Sequence, residues 1–87
     1  MDKIDPRLRN DGNETTFVIN GPPSSSVEEF EQQQLFLIDH DMIIVEAQRG
    51  CDVDGFGNLF VVRGSLKHIV TIAEQSFVWC IRPLNAR

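Results

Sequence analysis

The chain reads as a single small α+β domain, a four-stranded antiparallel sheet with two helices on one face. Three observations predict it. At 87 residues there is length for one core and no second domain. Hydrophobic content of 41% with 24% charged residues is that of a folding globular chain rather than a disordered one. Apolar runs of strand character alternate with two segments of helical period, in the order strand, helix, strand, strand, helix, strand.

Taken in order, residues 1–13 mix charges with Pro6 and Gly12 and hold no sustained period, so they read as a flexible N-terminal arm before a domain of residues 14–87. "TTFVIN", residues 15–20, is β-branched and aromatic and is stopped by "GPP", a strand and its turn. "SSSVEEF" opens a helix. Ser26 and Glu29 have the spacing of a capping box, and Glu28 and Glu29 suit the positive end of the helix dipole. Val27, Phe30, Leu37 and Ile38, with Gln34 between, form its expected apolar face. "DHD", residues 39–41, puts negative charge where the dipole disfavours it and ends the helix. A hairpin of "LFLI" and "MIIVEA" around DHD is the alternative, but it lacks a Gly or Asn for the left-handed position.

"MIIVEAQ" and "NLFVVRG" then pair as strands across residues 50–58, "GCDVDGFGN". "SLKHIVTIAEQ" starts from a cap at Ser65 and spaces Leu66, Ile69, Val70 and Ala73 as one helix face. "FVWCIRPL" closes the domain as a strand ending at Pro83. This order is that of the split βαβ, or ferredoxin-like, arrangement. A small all-β barrel is the alternative if both helical segments are strands.

Both sets of alternate strand positions are apolar: Phe17 and Ile19 against Val18, Leu59 and Val61 against Phe60 and Val62, Phe77, Trp79 and Ile81 against Val78 and Cys80. An open sheet face of that kind needs a cover. The expectation is therefore a non-catalytic protein-interaction module that self-associates, as a homodimer, through an apolar sheet face. Its expected interaction residues are Phe17, Phe56, Phe60 and Trp79.

Other chemistries fit less of the sequence. The net charge of −5 argues against nucleic acid as partner. Acid dominates between Arg9 and Arg49, where no Lys or Arg occurs, while Arg49, Arg63, Lys67, Arg82 and Arg87 follow, so unlike faces of two copies would attract. The charged N-terminus is neither a secretory signal nor a membrane span, and two cysteines make no disulfide framework, so the cytoplasm is the expected location. Cys80 is expected to be a small buried hydrophobe and Cys51 an exposed thiol.

"DVDGFGNL" resembles an EF-hand loop through Asp52, Asp54, Gly57 and Leu59, but Phe56 replaces a ligand and Arg63 stands where the closing glutamate belongs, so no metal is assigned. "TFVINGPP" and "DGFGNLFV" resemble the two motifs of RNA-recognition-motif domains. The resemblance implies single-stranded RNA binding, with Phe17, Phe56 and Phe60 as stacking residues and Arg82 on phosphate. Asp54 and Asn58 depart from it, replacing a basic and an aromatic residue. His40 lies between two aspartates and His68 is the other histidine. Without HxxxH, CxxC, GxSxG or a phosphate loop, neither an enzyme nor a cofactor is expected.

Overall fold

The computed structural model describes residues 3–8, 14–50 and 57–84. The elements are β1 (Glu14–Gly21), α1 (Val27–Asp39), β2 (Ile43–Gln48), β3 (Asn58–Ser65), a 3-10 turn (Leu66–His68) running into α2 (Ile69–Ala73), and β4 (Cys80–Pro83). The four strands form one open sheet in the order β2-β3-β1-β4, and every neighbouring pair is antiparallel. Neither the barrel nor the hairpin around DHD forms.

The start of α1 follows the expected cap with one shift. Ser26 Oγ accepts from the Glu29 N–H at 3.1 Å, but the Glu29 carboxylate reaches past Ser26 to the N–H and hydroxyl of Ser25, at 2.9 and 2.5 Å. These bonds hold the Glu29 carboxyl below the usual carboxylate range. At the other end the missing turn glycine is supplied by Asp41, at φ 66°. The Asp41 N–H donates to Ile38 O and the Met42 N–H to Leu37 O, both 3.1 Å, so the helix closes as a Schellman motif with Leu37 and Met42 in the core.

One core lies between the sheet and both helices. Phe17 and Ile19 of β1, Phe60 and Val62 of β3 and Ile81 of β4 meet Phe30 and Leu37 of α1 and Ile69, Ile72 and Ala73 of α2. The apolar face of α1 is the expected one only in part: Phe30 and Leu37 are buried together with Gln33, whereas Val27 and Ile38 are half exposed. Gln33 is tolerated there because Asn58 Nδ2 donates to its Oε1 at 3.0 Å, while Asn58 Oδ1 accepts from the Gly50 N–H at 2.8 Å. This polar chain fixes both ends of the β2–β3 connection to α1.

Two strands depart from the alternation read in the sequence. In β2 the register runs Ile44↔Val62, then Glu46↔Val61, then Ala47↔Phe60, so Val45 is the extra residue of a β-bulge. The bulge lets Ile44 and Ala47, three apart, both face the core. Strand β4 begins only at Cys80. Phe77 lies in the preceding turn, against Phe36 and Phe60, and its carbonyl passes so close to Gly21 that a Cβ there would sit 1.8 Å from it. Residues 3–5, read as part of the arm, run along β4 in a parallel bridge between Ile4 and Ile81. The Asp5 N–H donates to Ile81 O at 2.8 Å, and the Ile81 N–H donates to Lys3 O at 2.7 Å.

Candidate interaction surface

The sheet register decides which aromatic side chains a partner can touch. Phe17 pairs with Val62 and Ile19 with Phe60, which puts all four on the helix-covered face. Phe17 and Phe60 are wholly buried, and Phe60 stacks on Phe30 with ring centroids 5.2 Å apart. Neither side chain is on the surface of the folded chain. Trp79 is 56% exposed beside β4, its N–H bonded to Asn20 O at 2.7 Å. Phe56 lies outside the described residues, as do Asp52 and Asp54 of the calcium-like loop and the Cys51 thiol before it.

The uncovered face carries Thr16, Val18 and Asn20 of β1, Leu59, Val61 and Arg63 of β3, Cys80 and Arg82 of β4, and Ile43, Glu46 and Gln48 of β2. It is mixed, not apolar. Its centre, Val18 beside Val61, is already buried at 3% and 7% exposure, with Arg82 and Glu46 as the outer cross-strand neighbours whose stems can lie over apolar surface. Arg82 Nε donates to Asn20 Oδ1 at 3.1 Å, so Arg82 is anchored within the sheet. Cys80 is half-buried on this face, not a core residue.

The large exposed apolar side chains are spread over α1, β2, α2 and the two ends of β4. Of the eight large exposed ones among the described residues, Val27, Leu35 and Ile38 are on α1 and Ile43 and Val45 on β2. Helix α1 packs beside β2. The outer side of β2 has no backbone partner among the described residues, whereas β4 is bordered by residues 3–5. Hydrophobic patterning alone does not show which of these side chains are exposed, because that depends on the bulge and on which flank of α1 is buried.

The structure does draw the two histidines together. His40 Nδ1 donates to Phe36 O at 2.8 Å and its ring packs on Phe36, with centroids 4.2 Å apart. His68 meets the His40 ring edge-on at 5.6 Å, and its Nε2 lies 3.5 Å from the Asp41 carboxylate. Both imidazoles are thereby engaged at the end of α1. Among the described residues no three His, Cys, Asp or Glu side chains gather as a metal shell, and no helix is long and apolar enough to cross a membrane. The chain matches no protein-family model, no curated protein and no solved structure.

Proposed function

We propose that the protein is a cytoplasmic, non-catalytic, ferredoxin-like interaction module that forms a homodimer through the β2 side of its sheet. The observation that carries this reading is the outer edge of β2, unpaired among the described residues, with Ile43 and Val45 50% and 59% exposed on it. An exposed strand edge is a template for another strand, and a second copy across a twofold axis is the simplest closed solution. The ferredoxin-like part is supported by β1 and β2, which run the same way with β3 between them, as in a split βαβ unit. The non-catalytic part rests on the use of His40 and His68 within the fold.

Magnitudes make such a dimer weak. Burying the exposed half of Ile43 or Val45 gains roughly 1 kcal/mol each. A few ladder bonds add about 0.5–1.5 kcal/mol apiece. Association costs at least about 4 kcal/mol, which leaves dissociation constants on the order of 10 μM to 1 mM. Sedimentation velocity across that range should show a dimer that persists at high salt. Val45→Lys, a charge on the edge, should give a folded monomer, while Trp79→Asp, on the β4 side, should leave the dimer intact. A monomer throughout, or a dimer lost only with Trp79→Asp, would refute this interface.

A further inference from the structure

The side of α1 turned away from α2 has its own chemistry. The Phe36 and His40 flank meets Phe77 and His68. At 100° per residue, Val27, Ile38, Glu31, Leu35, Glu28 and Asp39 follow one another over roughly 120° of the opposite flank. Val27, Leu35 and Ile38 are 54%, 51% and 50% exposed. Leu35 and Ile38, with Glu31 and Gln34, line a shallow recess of about 270 Å³. Helix α1 contains no Lys, Arg or His, and Glu28, Glu31 and Asp39 form no ion pair among the described residues. Its fourth acid, Glu29, is committed to Ser25.

We infer that this flank docks a cationic amphipathic helix of another protein. Leu35 and Ile38 supply the contact that excludes water, while Glu31 between them and Glu28 and Asp39 along one side select lysine or arginine. A second α1 is the wrong occupant, because a twofold contact would set these acids against their own like. An anionic membrane is repelled for the same reason. The inference goes beyond the β2 dimer and uses different residues.

The test is titration of the full chain with a synthetic amphipathic peptide of leucine and lysine, and with its leucine and glutamate counterpart, at low and high salt. The expected result is micromolar binding of the lysine peptide alone, weakening several-fold with salt. Leu35→Gln with Ile38→Gln should weaken it by about tenfold or more, and Glu31→Lys by about fivefold. Glu74→Lys, an equal charge change at an exposed site outside this flank, and Val45→Lys, on the β2 edge, should bind as the parent does. Circular dichroism checks that each variant folds. Loss with Glu74→Lys equal to that with Glu31→Lys would reduce the effect to bulk charge and overturn the inference. So would no binding, equal binding of the glutamate peptide, indifference to the Leu35 and Ile38 changes, loss with Val45→Lys, or capture of anionic vesicles in place of the peptide.

Discussion

The two edges of the sheet solve the same problem differently. At β4 the free amide and carbonyl of Ile81 are taken by the chain's own residues 3–5, and Ile4 and Leu8 pack against the core. At β2 the edge carries no such strand among the described residues, only a bulge at Val45 and the charge of Glu46. Bulges and charges discourage indiscriminate pairing without forbidding it. An edge that is covered by its own chain contributes to stability. The β2 edge, with exposed Ile43 and Val45, has no such cover among the described residues.

Substitutions can break this contrast, beginning with the backbone crossings that hold each side. Gly21→Ala should be the most damaging, costing more than about 3 kcal/mol, because a Cβ would meet the Phe77 carbonyl at 1.8 Å and the turn leading into β4 would have to move. On the β2 side, Gly64→Ala would meet Asp41 O at 2.8 Å and the mobile end of Met42 at 2.9 Å, so its cost should be smaller. Thermal melts of the two variants measure the difference, and equal losses would contradict it.

Ile4→Ala should cost about 1–2 kcal/mol, the partial burial of Ile4 halving the usual core value. It should also speed hydrogen exchange at the Ile81 amide while leaving β2 amides unchanged. In the opposite direction, Asp41→Gly should stabilise the protein by about 0.5–1 kcal/mol. Glycine takes the left-handed position without strain and removes a carboxylate from the negative end of α1. The same change removes the 3.5 Å contact of the exposed Asp41 carboxylate with His68 Nε2, which contributes little.

The smallest effect should be a titration confined to the β4 side. Asp5, held by Arg7 through side-chain and backbone hydrogen bonds, has its carboxyl lowered to about 2 from an ordinary 3.8. A depressed pKa means that its contribution is present above about pH 4 and is lost as pH falls towards 2. Exchange at the Ile81 amide followed over that range should accelerate before exchange at β2 does. Simultaneous loosening of both edges would mean that global acid unfolding dominates.

Much of the fold was legible from local chemistry. Ser26 and Glu29 mark the start of α1, the β-branched runs mark the strands, and Asn58 and Gly57 flag the connection before β3. The exposure of individual side chains was not legible. Reading Phe17 and Phe60 as surface residues treats two apolar sets of alternate positions as interchangeable, and the polar Gln33 gives no sign that its partner is Asn58, 25 residues away.

By itself, then, the sequence determined the order and type of the elements and the cap that starts α1, because these depend on residues within a turn or two of one another. Only the tertiary structure decided that Phe17, Ile19, Phe60 and Val62 face the helices, that Val45 bulges, and that residues 3–5 border β4. A strand's period of two defines two faces but does not say which is covered when both are apolar. That choice is made by packing across the whole chain, where Phe30 stacks on Phe60 and Leu37 and Ile72 are buried in the same core.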